Sequence, residues 1–299
     1  MKSFYLDYQN APFFAGKIGA WIKERVESAH CKGVVFGMSG GIDCSVAARL
    51  CQMGGVDVHL VLMPYGDDMM KTKSNDHAME LIEKFNFPYH VFDIKPAVDA
   101  LTIPEDAPFI KNGDAAAKNA IRISRANIRP RARMTYLYQF AQLDNRLVLG
   151  TSNLAELTMG YFTKWGDGAC DLLPIALLAK QEVYALAKYL EIPASIINKE
   201  PSAELWEGQT DEEEMGMEYW QIDRFIIIGS TGKPEINRKI RDRMAMSAHK
   251  LDPIPFYDGI SFDIPNENLK PKLTHFIRHN GVVDLGEYGK LWAGGRKDI

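Results

Sequence analysis

The chain predicts an α/β fold in three layers, a parallel sheet with helices on both faces. Three observations carry this. Four short apolar runs, at 34–37, 58–63, 89–92 and 147–150, have the length of buried strands. Helix-period segments separate them, and strands that alternate with helices pair in parallel through right-handed crossovers. The 299 residues are 46% hydrophobic, enough for a substantial core, and no linker, repeat or low-complexity segment divides them. One domain over 1–299, with its core over about 14–250, is therefore expected.

The elements follow in order. A first helix is expected from Pro12 to about Cys31, with Ile18, Trp21, Ile22 and Val26 on one face. The run Val34-Val35-Phe36-Gly37-Met38 reads as the first strand, and Val46, Ala47 and Leu50 mark a helix over 43–53. A second strand over 58–63 leads to a helix over 74–85 and a third strand over 89–92. Residues 101–112 carry two prolines and little periodicity, the mark of a loop. One long helix is expected over about 114–143, with Pro130 as its weak point. The fourth strand, 147–150, precedes a Gly- and Asp-rich loop over 161–173, a helix over 181–190 and a loop over 201–210. Asp211-Glu212-Glu213-Glu214 places acids at the positive end of a helix and reads as a helix start, not a metal site. Gly229 to Pro234 reads as a turn before a helix over about 234–248, whose Arg238, Lys239, Arg241 and Arg243 form a solvated basic face.

Bulk properties remove several function classes. A net charge of −4 leaves no electrostatic footprint for general nucleic-acid binding. Cys31, Cys44, Cys51 and Cys170 include no C-x-x-C pair, so neither a disulfide framework nor a thiolate zinc site is expected. Reduced thiols fit a cytosol. The first residues carry an early acid, Asp7, without a long apolar stretch, which is not a secretory signal. No stretch has the length of a membrane span. The expectation is a soluble cytoplasmic protein without nucleic-acid or membrane partners.

The chemistry centres on Ser39-Gly40-Gly41-Ile42-Asp43-Cys44-Ser45, which joins the first strand to its helix. Two glycines let the backbone turn sharply and approach a ligand. The free N–H groups and positive end of the helix then favour an anion such as phosphate. Asp43 would repel a bare phosphate and makes sense with a divalent cation between them. The bland alternative is a glycine turn capped by Ser39. The loop is not a Walker A loop, and Gly229-Ser230-Thr231-Gly232-Lys233-Pro234 has the wrong spacing to be one.

Ligands of such sheets bind outside the carboxyl ends of the strands, so Ser39, Pro64-Tyr65-Gly66 and Thr151 should share one rim. Glu156 lies about one helical turn beyond Thr151. Alone it reads as a first-turn acid; beside Asp43 and phosphate oxygens it completes a Mg²⁺ site. The loop over 160–171 gathers Lys164, Asp167, Asp171 and three aromatics. Its aromatics suit a flat ring and its acids suit ribose hydroxyls, or else the aromatics simply tuck it against the core. Asn127 and Arg131 share a face if their segment is helical. Arginine forks there suit phosphate or carboxylate, and a plain arginine-rich surface helix stays equally open.

The Ser39 loop resembles the pyrophosphate loop of the ATP pyrophosphatases, which cleave ATP between the α- and β-phosphates and leave an adenylated intermediate. Taken with the motifs at 127–134, 150–156 and 160–171, Lys180, Pro201-Ser202-Ala203, 208–212 and His249-Lys250, the chain resembles the ammonia-dependent NAD synthetases over about 34–250. The loop alone is shared with GMP, argininosuccinate and asparagine synthetases. The string Gly-Tyr-Phe-Thr-Lys-Trp-Gly-Asp-Gly at 160–168 is more restricted and selects the substrate.

The resemblance implies a Rossmann-like fold of the adenine nucleotide alpha-hydrolase type. It implies ATP-dependent amidation of deamido-NAD⁺ by ammonia, giving NAD⁺, AMP and pyrophosphate. It assigns Gly37, Met38, Ser39, Gly40, Gly41, Ile42, Asp43 and Cys44 to the phosphates of ATP, and Asp43 with Glu156 to Mg²⁺. Thr151, Lys180 and Ser202 would contact ATP. Arg131, Lys164, Asp171, His249 and Lys250 would bind deamido-NAD⁺. Asp167 would lie near the nicotinate end and assist ammonia, so that Asp43, Asp167 and Lys180 form the catalytic set. A homodimer is implied, with deamido-NAD⁺ near the interface and the tail 251–299 packing at that site or at the interface. Cys44 stands where the family usually has a hydroxyl, and Ser202 replaces a common threonine. The short leader before Ser39 leaves no room for an amidase domain, so a separate amidase would supply any glutamine-derived ammonia. The competing readings are another pyrophosphate-loop adenylating enzyme, GMP synthetase-like or tRNA-thiolating, and a non-catalytic nucleotide-binding protein. Scattered cysteines and negative charge weigh against thiolation, and paired acids weigh against a passive binder.

Overall fold

The computed structural model describes residues 6–66, 73–104, 106–108, 110, 113–202 and 210–252. The expected tail beyond 252, the segment after Tyr65-Gly66, Ala203, Gly208 and Gln209 of the 208–212 motif and parts of the loops at 101–112 and 201–210 lie outside the described residues.

Helix α1 (Ala11–Ser28) precedes β1 (Gly33–Gly37), α2 (Ile42–Met53), β2 (Asp57–Leu62), α3 (Lys73–Phe85) and β3 (Tyr89–Val91). Then come α4 (Lys95–Leu101), α5 (Ala115–Ala126), α6 (Ile128–Asp144), β4 (Arg146–Val148) and α7 (Leu154–Met159). The chain continues through α8 (Lys180–Tyr189), α9 (Ala194–Ile197), α10 (Asp211–Met215), α11 (Tyr219–Ile228) and α12 (Pro234–Leu251). The four strands pair in parallel in the order β3-β2-β1-β4.

Period-two alternation splits the strand side chains between two cores. Val34 and Phe36 of β1 and Val58, Leu60 and Leu62 of β2 pack with Ile22 of α1, Leu50 of α2, Leu81 of α3 and Leu186 of α8. Val35 and Val61 face the other way, onto Val98 of α4 and Ala132 and Ala141 of α6. Helices thus cover both faces, as the apolar runs require. A third cluster joins Ala155 and Met159 of α7 to Ile222 of α11 and Ile240 of α12.

The structure departs from two expectations. The long helix over 114–143 is two helices, and the break falls at Asn127, not Pro130. Pro130 stands in the first turn of α6, where its missing N–H forfeits no intrahelical bond. Asn127 instead gives its side chain to tertiary structure, accepting from the Thr163 hydroxyl at 2.8 Å. Strand β3, expected as buried, faces solvent along its length. Tyr89, Val91 and Phe92 are exposed there, and Phe92 meets Phe140 of α6 at 5.0 Å between ring centroids. Among the described residues, no helix is long and apolar enough to cross a membrane.

The register sets the rim. Gly37 pairs opposite Val61, and Val35 opposite Val148. The turn after β1, the Met63-Pro64 turn and the Gly150-Thr151 turn therefore leave the same edge of the sheet.

Candidate active site

The turn from β1 into α2 is built by local chemistry. Gly40 takes φ 73°, a conformation open to glycine and strained for residues with a Cβ, and Gly41 caps α2 in extended geometry. The Ser39 hydroxyl accepts from Gly41 N–H at 3.2 Å, and Ser45 Oγ returns to Gly41 O at 2.8 Å. Cys44 Sγ lies 3.2 Å from Ser39 Oγ and 3.6 Å from Thr151 Oγ1, so it links the β1 turn to the β4 turn as a hydroxyl would.

Asp43, in the first turn of α2, is the hub. Its Oδ2 accepts from Lys180 Nζ at 2.6 Å and its Oδ1 from Asn153 Nδ2 at 3.1 Å. Glu156 Oε1 stands 3.7 Å from the same ammonium. Asn153 and Glu156 close a reciprocal capping box at the start of α7: Glu156 N–H donates to Asn153 Oδ1 at 3.0 Å, and Asn153 N–H to Glu156 Oε2 at 3.1 Å. The sequence pattern Asn-x-x-Glu signals that box. The second use of Asn153, as the clasp on Asp43, has no sequence signal.

One ammonium serves two acids here. Burial alone would lower the Lys180 pKa, but the charges of Asp43 and Glu156 hold it above the ordinary lysine range. Burial and the neighbouring Asp43 charge push Glu156 up to about 8, and Lys180 offsets this only in part. The ammonium lies nearer Asp43 than Glu156, so Glu156 shares it at longer range. Two carboxylates short of one cation fit a divalent ion at this rim.

Lys180 sits 1% exposed at the start of α8, whose own N-cap, Ala179, has no side-chain acceptor. Asp223 of α11 supplies one, taking the Lys180 N–H at 3.1 Å and the Gln181 N–H at 3.0 Å. Burial pushes the Asp223 carboxyl up to about 6 against the pull of those two N–H groups. A raised carboxyl pKa means the native state holds the proton more tightly than the unfolded chain. The resulting cost is absent below the unfolded pKa, grows as pH rises from about 4 to about 6, and is then constant. Asp223→Asn should remove about 3 kcal/mol of this pH-dependent fall in unfolding free energy, read from urea melts between pH 3.5 and 6.5.

The second group of expected site residues gathers on the loop over 160–171. Lys250 of α12 donates to Gly160 O at 2.6 Å and Phe162 O at 2.7 Å. Lys164 Nζ donates to His249 O at 2.5 Å, and Arg131 of α6 reaches Lys164 O at 3.3 Å. Arg131, Lys164, His249 and Lys250 thus meet on one loop from three elements. Asp167 is exposed, with Oδ1 fixed by Thr163 N–H at 2.9 Å. Asp171 has an internal task as well: its oxygens accept from Val148 N–H at 2.8 Å and Tyr138 OH at 3.2 Å. Ser202 stands beside the start of α10, where Asp211 N–H donates to Pro201 O at 3.1 Å.

Gly160 ends α7 at φ 59°, and a Cβ there would overlap the Ser247 side chain of α12. Gly160→Ala combines that overlap with a strained φ and should destabilise by about 2–4 kcal/mol in urea melts, loosening α12 from the loop.

Comparisons with known proteins point to one family. The family model described as NAD synthase matches residues 15–254. The chain is 40% identical over 231 residues to the NH(3)-dependent NAD(+) synthetase of Syntrophomonas wolfei, covering 77% of this chain and 89% of that protein. It also superposes on solved structures. One is the NMN synthetase of Francisella tularensis, with TM-score 0.73 and 36% identity over 83% of this chain and 98% of the other. Another is the NH3-dependent NAD synthetase of Campylobacter jejuni, with TM-score 0.67 and 29% identity over 85% of this chain and 100% of the other.

Proposed function

Because this chain belongs to the NAD synthase family, we propose that it is an ammonia-dependent carbon–nitrogen ligase that converts deamido-NAD⁺ to NAD⁺ with consumption of ATP. The observation that carries the reading is the buried Lys180 ammonium shared by Asp43 and Glu156 where the Ser39 loop enters α2.

The residues take these roles. Backbone N–H groups of the turn at 37–44, with Thr151 and Ser202, hold ATP. The nicotinate carboxylate attacks the α-phosphorus, the bond to the β-phosphate oxygen breaks, and pyrophosphate leaves. Lys180, buried at the rim, meets the charge that builds on the leaving group. Asp43 and Glu156 would hold Mg²⁺, which when bound neutralises phosphate charge. Arg131, Lys164, Asp171, His249 and Lys250 place the deamido-dinucleotide on the 160–171 loop. Ammonia then attacks the adenylated carbonyl carbon and AMP leaves. Asp167 holds the incoming ammonium and takes its proton, its carboxylate anchored by Thr163 N–H.

The protein works as a homodimer in the cytoplasm, where its four free thiols stay reduced and a separate amidase can feed it ammonia. Its exposed edge strand supports the dimer. Tyr89, Val91 and Phe92 of that edge are exposed apolar side chains of the kind found at protein contacts.

A second reading keeps the chemistry and shortens the acceptor. The likeness to an NMN synthetase over nearly all of that protein favours nicotinate mononucleotide as substrate. Both readings are tested by one assay with ATP, Mg²⁺, ammonium and either acceptor. The expected products with deamido-NAD⁺ are NAD⁺, AMP and pyrophosphate. A higher kcat/KM for the mononucleotide selects the second reading, and release of ADP overturns both.

A further inference from the structure

Lys180 is held from two sides by one helix that carries none of the expected site residues. Tyr219 and Asp223 stand four apart on α11 and so share a face. Asp223, wholly buried, takes the main-chain N–H of Lys180. The Tyr219 ring, 4% exposed, lies under the other end of the residue, 4.7 Å from ring centroid to Nζ. The ring cannot turn freely. Its hydroxyl donates to Asp211 Oδ2 at 2.9 Å, and Asp211 is itself buried at the start of α10. Tyr219 N–H is also fixed, by Glu212 Oε1 at 2.9 Å. The acidic run at 211–214 is thus more than a helix start: its first member orients an aromatic ring beneath the catalytic lysine.

We infer that Tyr219 is a positioning residue for Lys180, its ring face holding the ammonium at the rim until the nucleotide arrives. This rests on the proposed role of Lys180 in adenylation. A lysine on a flexible stem must be localised against its rotamer entropy. Asp43 and Glu156 already attract it. A third carboxylate in contact would hold the ammonium too tightly to be shared with a phosphate. An aromatic face attracts a desolvated cation and adds no formal charge. It keeps Nζ available and still confines it. Phenylalanine would offer the same face, while the tyrosine hydroxyl adds only the tie to Asp211.

The test measures ATP–pyrophosphate exchange in the presence of deamido-NAD⁺ and Mg²⁺, without ammonia, for Tyr219→Leu and Tyr219→Phe, alone and in a Lys180→Met background. Tyr219→Leu should lower kcat for exchange by about tenfold, the loss of one cation–π contact, with KM for ATP within about twofold. Tyr219→Phe should restore kcat to within about threefold of wild type. In the Lys180→Met background Tyr219→Leu should change nothing further, because the ring acts through the ammonium. A loss as large in Tyr219→Phe as in Tyr219→Leu, or an undiminished Leu effect in the Lys180→Met background, overturns the inference. If Tyr219→Leu does not fold, Tyr219→Met carries the test. It also removes the ring face and should lower kcat by about tenfold, and unchanged kcat overturns the inference. Wild-type protein without exchange activity would instead overturn the proposed adenylation, which separates the two failures.

Discussion

Asp43→Ala is expected to lower ATP–pyrophosphate exchange by about a thousandfold, the scale of losing one electrostatic anchor of a phosphoryl-type transition state. The geometry explains why one residue carries so much. Asp43 binds the Lys180 ammonium at 2.6 Å and receives the Asn153 amide at 3.1 Å. Without it, Lys180 falls to Glu156 alone, now 3.7 Å away, and that pairing neutralises the second acid of the cation site. Exchange above a tenth of wild type, with Mg²⁺ saturating, would remove Asp43 from the metal assignment.

Lys180→Met should cost about a hundredfold to a thousandfold in the same assay and also weaken the fold. The Lys180 side chain is among the largest fully buried ones of the described residues. Its loss strands two carboxylates, and stranding buried charge typically costs about 3–5 kcal/mol. The sign with pH follows from Glu156, whose carboxyl is pushed up to about 8. Removing the ammonium raises that acid further, and a raised acid is costly where it must ionise, so the deficit of the variant should grow as pH rises and shrink as pH falls, where Glu156 keeps its proton. Added Mg²⁺ should raise the melting temperature of the variant more than that of wild type at pH 8.5, because the ion replaces the missing positive charge. Equal shifts would mean that the ion binds elsewhere.

How much of this was legible in the sequence depended on distance along the chain. The apolar runs of β1, β2 and β4 declared themselves because parallel strands buried on both faces are apolar throughout. The turn at Ser39 was legible because its glycines and Asp43 are adjacent. The break at Asn127 was not, since an Ala- and Arg-rich segment has good helix propensity on both sides. What ends α5 there is a side-chain bond to Thr163, a tertiary event. Lys180 and Asp43 are 137 residues apart, and no spacing rule joins them. Asp223 and Tyr219 lay in a segment that suggested no function, and only the fold brings them under Lys180. Asp171 shows the converse: a residue expected to face ligand also fastens its loop to β4 through Val148 N–H.

The borrowed cap on α8 has a consequence for how the protein assembles. Because the first amides of that helix are completed by Asp223 from a later stretch of chain, the lysine end of α8 stays frayed until α11 has docked. Chemical competence is therefore among the last properties the folding chain acquires. Amide exchange at Lys180 and Gln181 should report the detachment of α11, not the fraying of α8 itself.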